Sequence, residues 1–375
     1  VTRSIRHRSV VFVALLAVVA LAAAACSGGS SKKKSSAKSS TSSSAGSGST
    51  TAAPAKAAIA PFTGLPDPSG TSQTRAALIV KTGNNPEARP QSGLDVADIV
   101  YEEIVEGGIT RFAAIYQSEA PDEVGPTRSV RGMDPNLALT VGGIFAYSGG
   151  TPPNVAKIRA TPGIISVDET QAGDAMVRDS KGRRQAPNNL YVRPAKMWAK
   201  GGKPIPPNPL FEYLGAGQPF AGDPATALTV RFGGGFDVTY TYDPAANNYK
   251  RSYGAKPFMT WSGRQVTPTN VVVQFIQYPK NSEGITIGSG DAWVFSAGKV
   301  VKGKWNRPNA GNPPVFTDAA GKVVKLTPGR TWVALAKVGM PVDIVAPPPV
   351  TTAGASTTAG ATTTARTTIT TKKKP

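Results

Sequence analysis

Residues 88–117 read ARPQSGLDVADIVYEEIVEGGITRFAAIYQ, and the way this stretch folds decides the architecture. Its second half alternates. Phe112, Ala114 and Tyr116 fall on one side of a run from Thr110 to Gln117, with the period of two that marks a strand. The segment from Ala97 to Glu103 mixes apolar and acidic residues without a clear period and fits strand or helix. Between the two, Gly107-Gly108 reads as a turn.

Working outward, Ala76 to Val80 is a short buried strand candidate. Asn136 to Thr140 reads as a short helix and Gly143 to Tyr147 as a strand ending at Ser148-Gly149-Gly150. Asn154 to Ala160 reads as a second helix after a proline pair. This alternation predicts an α/β N-terminal domain over residues 61–215, a mixed sheet flanked by helices. From Ala225 the texture changes. Leu228 to Phe232, Val238 to Tyr242, Asn270 to Gln277 and Thr331 to Leu335 read as strands. Hairpins turn at Ala297-Gly298 and Ala320-Gly321. Short strands with glycine turns predict a mainly antiparallel β C-terminal domain over residues 216–345, a meander or small barrel.

The two ends have no core to offer. Arg3, Arg6 and Arg8 precede an apolar run from Val10 to Ala25, which ends in small residues and Cys26, the one cysteine of the chain. A basic head, a short apolar stretch and a small-residue exit mark a secretory signal over residues 1–26. A cysteine directly after Ala23-Ala24-Ala25 resembles a bacterial lipoprotein cleavage box, which makes Cys26 the lipidation site and the membrane the first partner. Residues 27–60, rich in Ser, Lys and Ala, read as a disordered tether, and residues 346–375, rich in Pro, Thr and Ala, as a disordered tail.

Composition excludes whole classes of chemistry. His7 is the one histidine and lies in the signal. Ser-His-Asp and Cys-His catalysis are out, as is zinc held by His or Cys; no cofactor is expected and no catalytic residue is assigned. A hard cation on carboxylates survives this test. The formal charge of +19 is concentrated at the ends. Residues 61–347 carry 30 basic and 23 acidic residues. The basic ends suit anionic lipid headgroups or wall polymer. A nucleic-acid partner is excluded by compartment and by the lack of a basic-aromatic motif.

The densest polar conjunction lies between residues 88 and 150. Arg111 sits in the alternating strand, Arg128 and Arg131 in VGPTRSVR, and Tyr147, Ser148 and Gly149 close the block. If a helix starts near Ser129, both of the later arginines fall at its N-terminus, where backbone N–H groups favour anions. Arginine adds a permanently charged fork that binds phosphate or carboxylate in two places. The alternative is plain pairing with Glu102, Glu103, Glu106, Asp122 and Glu123. Asp95, Asp98 and Glu102 fit either a hard-cation site or a solvated face. Trp261, Trp293, Trp305 and Trp332 fit ordinary β core or an aromatic face for a partner.

The same blocks carry a resemblance. The 88–117 stretch, VGPTRSVR, FAYSGG, APNNLYV, NVVVQFIQ, GSGDAWVFSAGKVVKGKWNR and LTPGRTWVAL resemble the YerB-like family of bacterial lipoproteins, over about residues 61 to 336. The resemblance implies an N-terminal α/β part, a C-terminal mainly β part, and no assigned activity. The family commonly has His within Ala-Pro-His-Asn-Leu-Tyr. Here Asn188 stands in that place, keeping a hydrogen-bonding role but no proton-transfer role. A looser likeness, to wall-polymer transferases of the LytR-CpsA-Psr type, rests on the order of Arg strand, Pro-x-Arg-Ser turn and Tyr-x-Gly-Gly. Their Pro-Arg-Asp signature is absent.

Three functional expectations follow. The first is a lipid-anchored protein on the extracytoplasmic face that binds an anionic envelope ligand or wall polymer in an arginine-lined pocket of Arg111, Arg128, Arg131, Tyr147, Ser148, Gly149 and Asn188. The second is a divalent-metal-dependent transferase of phosphoryl-linked wall polymer, with the cation on Asp98 or Glu102. The third is a scaffold for an envelope protein partner such as a wall enzyme.

Overall fold

The structure is a computed structural model that describes residues 58–347, apart from 180, 181, 183, 202–206 and 280–282. Cys26, the signal, almost all of the tether and all but the first two residues of the tail lie outside the described residues.

The ambiguous segment is a strand. We number the longer strands in chain order: β1 Leu78–Gly83, β2 Ile99–Ile104, β3 Thr110–Tyr116, β4 Gly143–Tyr147 and β5 Ile164–Asp168. They are followed by β6 Ala227–Val230, β7 Val238–Asp243, β8 Asn248–Tyr253 and β9 Asn270–Ile276. The last four are β10 Gly288–Ser296, β11 Lys299–Arg307, β12 Thr331–Lys337 and β13 Val342–Val345. Two helices of eight residues, α1 Asp134–Val141 and α2 Pro152–Arg159, follow the positions expected for them.

A mixed central sheet runs β11-β10-β9-β12-β2-β3-β1-β4-β5, with short strands beside β11. β12 lies parallel to both β9 and β2, so sequence on both sides of residue 215 builds one sheet. The second sheet, antiparallel, runs β8-β7-β6-β13 with Lys256–Pro257 beside β8. The β10–β11 hairpin turns at Ala297-Gly298, both with positive φ, as its sequence predicts. Gly143 opens β4 because it must: a Cβ there would lie 2.3 Å from the Ala77 carbonyl oxygen.

Both faces of the central sheet are buried, which is why β2 shows no amphipathic period. Ile79, Tyr101, Ala113, Phe145 and Val333 face one side, packed with Leu137 and Val141 of α1 and Ile158 of α2. Val80, Val100, Phe112, Ala146 and Trp332 face the other, packed with Leu228, Val238, Tyr240 and Tyr249 of the second sheet. The mixed sheet expected from the sequence is present, and the two eight-residue helices flank it on one face only. The chain is mostly strand, its helices are few and short, and sheet-on-sheet packing covers much of one face. No helix of the described residues is long and apolar enough to cross a membrane.

Candidate functional site

β1 and β4 run parallel only from Leu78 to Val80 and from Ile144 to Ala146. Beyond that point the segment 125–131 wedges between their C-terminal ends. Arg128 N–H donates to the Lys81 carbonyl at 2.8 Å, and Ser148 N–H donates to the Arg128 carbonyl at 3.0 Å. Val130 N–H donates to the Gly149 carbonyl at 3.0 Å. The C-terminal ends of neighbouring parallel strands are where open α/β sheets place ligands. No helix starts near Ser129; α1 begins at Asp134, so Arg128 and Arg131 are carried by an extended wedge. The helix fails there because these backbone groups are already bonded to two strand ends.

The wedge gathers the three arginines. Arg111 reaches across from β3 and donates Nη1 to the Ser129 carbonyl at 3.1 Å. Arg131 donates Nη1 to the same carbonyl at 3.2 Å and to that of Val130 at 3.0 Å. Its Nε donates to Glu106, 2.8 Å away and more than half exposed. Arg128 donates Nη1 to the Pro187 carbonyl at 3.2 Å and to Asn188 Oδ1 at 3.4 Å. Its stem lies over Gly83, where a Cβ would come within 2.8 Å of its Cγ. Asn188 Oδ1 also accepts from Asn85 Nδ2 at 3.2 Å. Ser148 and Gly149 join the group through their backbone. Tyr147 does not: its ring is buried against Phe145 and its hydroxyl bonds Ser166 at 3.0 Å. That placement corrects its reading as a binding residue, because strand alternation turns Tyr147 into the core.

Burial, then the neighbouring Arg131 and Arg128, push the Arg111 guanidinium down to about 10. Burial and Arg131 also lower Arg128. Both stay protonated at neutral pH. Among the described residues, neither makes an ion pair with a carboxylate. A guanidinium fork can pair with a carboxylate or phosphate through two parallel N–H groups.

Sequence reasoning missed the floor of this site. Lys81, fully buried, donates Nζ to Glu103 and to Asp134 Oδ1, the latter at 2.8 Å. Burial lowers its ammonium to about 8 against the opposing pull of Asp134, with Arg111 and Arg131 pressing the same way as burial. Asp134 Oδ2 in turn accepts from the Arg131 backbone N–H at 2.6 Å. The available signal was a charged residue inside the apolar run LIVKTG.

The carboxylates considered for a cation lie elsewhere. Asp98 accepts from the backbone of Gln117 and Ser118 at 2.7 and 2.9 Å. Asp95 pairs with Arg264 at 2.6 Å. Glu102 is buried on the opposite face of β2, bonded to Arg251, Trp332 and Thr110. Among the described residues, no cluster of three or more His, Cys, Asp or Glu side chains is placed to hold a metal ion. A cavity of about 900 Å³ opens separately, between the 92–96 and 119–123 loops, residues 177–179 and the turn at 261–264. None of the seven residues read from the sequence lines it.

Residues 62–204 match the family described as protein of unknown function (DUF3048), N-terminal domain, and residues 228–333 match its C-terminal domain. A Bacillus subtilis protein named "Putative lipoprotein YerB" is 31% identical over 297 residues, covering 74% of this chain and 86% of the relative. This chain belongs to the DUF3048 family. The crystal structure of YerB protein from Bacillus subtilis aligns with a TM-score of 0.66 at 26% identity, over 76% of this chain and 99% of that one. The DUF3048 description carries no activity. The wedge and all three arginines fall within the N-terminal DUF3048 match. The C-terminal match reaches Val333 in β12, the strand that pairs with β2, so the two DUF3048 regions meet inside one sheet.

Proposed function

We propose that this protein is an envelope lipoprotein, anchored at the membrane through acylated Cys26 on the extracytoplasmic face, that binds an anionic envelope ligand at Arg111, Arg128 and Arg131. The lipoprotein relative supports the anchoring. One observation carries the binding: Arg111 and Arg131 share the Ser129 carbonyl, and Arg131 weakens the hold of both Arg111 and Arg128 on a proton, yet neither Arg111 nor Arg128 has a carboxylate partner among the described residues. A phosphate-bearing ligand relieves that repulsion and uses the open forks. No catalytic step is assigned.

Calorimetry of the full chain with inorganic pyrophosphate and with poly(glycerol phosphate) tests this reading. Arg128→Ala removes a charge-assisted contact of about 1.5–3 kcal/mol, so affinity is expected to fall by about tenfold or more. Arg264→Ala, an arginine outside the group, is the control. Equal affinity in the wild type, Arg128→Ala and Arg111→Ala overturns the site.

A further inference from the structure

Lys81 has no exposed surface and is set among ionisable groups from β2, β3, β4, α1 and the wedge. Glu103 of β2 and Asp134 at the start of α1, both also fully buried, receive its Nζ. Arg111 of β3 and Arg131 of the wedge press on it from the cationic side, and Arg111 stands opposite Glu103 in the β2–β3 register. Tyr147 of β4 lies on the same face of the sheet, its hydroxyl bonded to Ser166. Glu106 reaches Arg131 from the exposed side, where water and salt screen it.

Lys81 is tied to the wedge by bonds as well as by charge. Asp134 holds Lys81 Nζ on Oδ1 at 2.8 Å and the Arg131 backbone N–H on Oδ2 at 2.6 Å, and its own N–H donates to the Arg131 carbonyl at 3.2 Å. In this cluster three cations, Lys81, Arg111 and Arg131, face two buried carboxylates, Glu103 and Asp134. The surplus is one positive charge. Lys81 holds its proton less tightly than Arg111 does: burial brings the ammonium down to about 8, against about 10 for the guanidinium. Without the Lys81 proton the cluster is neutral, and an anion at the wedge loses an attraction that water screens poorly. The reverse follows by linkage: a bound anion favours the charged form of the lysine.

We propose that Lys81 makes anion binding at the wedge proton-linked: a proton taken from solvent onto Nζ accompanies the ligand, and the site tightens as its surroundings become less alkaline. The device presupposes anion binding by the arginine group, as proposed above, and gives that site a regulator. Lys81 is a positioning residue in it, touching the wedge through Asp134 and the ligand only through charge.

The test is calorimetry of the full chain with poly(glycerol phosphate), whose phosphodiesters stay ionised throughout, at about pH 7, about pH 8.5 and about pH 9. Each titration is run in two buffers of different ionisation enthalpy, which counts the protons exchanged. If the ligand makes the charged form of Lys81 about tenfold more favoured, wild-type affinity falls about fivefold from about pH 7 to about pH 9, and about half a proton is taken up per site near pH 8.5. Lys81→Met combined with Glu103→Gln removes the titrating group together with one buried carboxylate, so no unpaired charge is left by the change. That chain is expected to bind without proton uptake, its affinity changing by less than about twofold over the range. Lys81→Arg, charged at every pH, is expected to keep the affinity that the wild type shows at about pH 7. Wild-type binding without proton uptake overturns the linkage, needs no variant to show it, and leaves the arginine site standing. Uptake that persists in the double variant overturns it too, and assigns the proton to another group. No binding by the wild type at any of these pH values overturns both the site and its regulator.

Discussion

Glu102 and Glu103 are neighbours on β2, both fully buried, and they serve opposite faces of one sheet. Glu102 faces the second sheet. Its oxygens accept from Arg251 Nη2 at 3.0 and 3.1 Å, Trp332 Nε1 at 2.9 Å and Thr110 Oγ1 at 2.8 Å. Arg251 lies in an aromatic cage whose nearest centroids are those of Phe258 at 4.2 Å, Trp332 at 4.6 Å and Tyr253 at 4.7 Å. Burial pulls that guanidinium down, but Glu102 and the hydroxyls of Tyr253 and Tyr240 outweigh it, so its proton is held more tightly than usual. Glu103 faces the wedge. It receives Lys81, lies opposite Arg111 in the β2–β3 register, and keeps Oε2 without a hydrogen-bond partner among the described residues. What covers each face decides the role: sheet packing makes Glu102 a clamp between two layers, whereas the open strand ends make Glu103 the floor of a cationic site.

The sharpest way to break this contrast is Arg251→Met. It leaves Glu102 charged and buried without its cation, and one-sided loss of a buried pair costs about 3–5 kcal/mol. Denaturant unfolding should show that loss, while pyrophosphate affinity at the wedge stays unchanged. Adding Glu102→Gln to the same chain should recover part of the stability, because neutral packing replaces an unpaired charge. A loss below about 1 kcal/mol would mean that the pair is solvated and no clamp exists.

Glu103→Gln should behave differently. Lys81 keeps Asp134, and one oxygen of Glu103 has no hydrogen bond to lose, so the expected cost is about 1–3 kcal/mol. Unlike the clamp variant, it should raise pyrophosphate affinity severalfold, since it removes negative charge beside Arg111. A variant with unchanged affinity would separate Glu103 from the site and leave it a purely structural partner of Lys81.

Sequence reasoning saw the elements better than the faces. Thr110 to Gln117 declared itself by alternation. The β10–β11 turn declared itself by Ala297-Gly298, and the polar blocks around Arg111, Arg128 and Arg131 by composition. These signals are local. The ambiguous Ala97 to Glu103 segment hid its period because both of its faces are buried, so acidic side chains stand where apolar ones were expected. The cationic partners of those acids, Lys81 and Arg251, lie about 20 and about 150 residues away, and no local rule pairs them. Tyr147 was misread for the converse reason: its block carries the polar Ser148-Gly149-Gly150, but its own position in β4 points inward. The exposure of Trp261, against the burial of Trp305 and Trp332, depends on a turn docked against Gln91, a contact between distant parts of the chain.

The gentlest test concerns the exposed edge of the wedge. Glu106 sits on the Gly107-Gly108 turn, whose glycines both have φ near +72° and face open space. Its carboxylate engages Arg131 Nε, so a ligand must compete with it for that guanidinium. A solvent-exposed pair is worth about 0–1 kcal/mol, which sets the ceiling on the effect. Glu106→Gln should therefore leave stability within about 0.5 kcal/mol and raise pyrophosphate affinity by at most about fivefold. The gain should shrink as salt screens the exposed charges, whose reach falls to about 8 Å at physiological ionic strength. A gain that persists in high salt would mean that Glu106 acts by shaping the turn instead of by its charge. Full-length wild type and Glu106→Gln titrated side by side at two salt concentrations decide between the two.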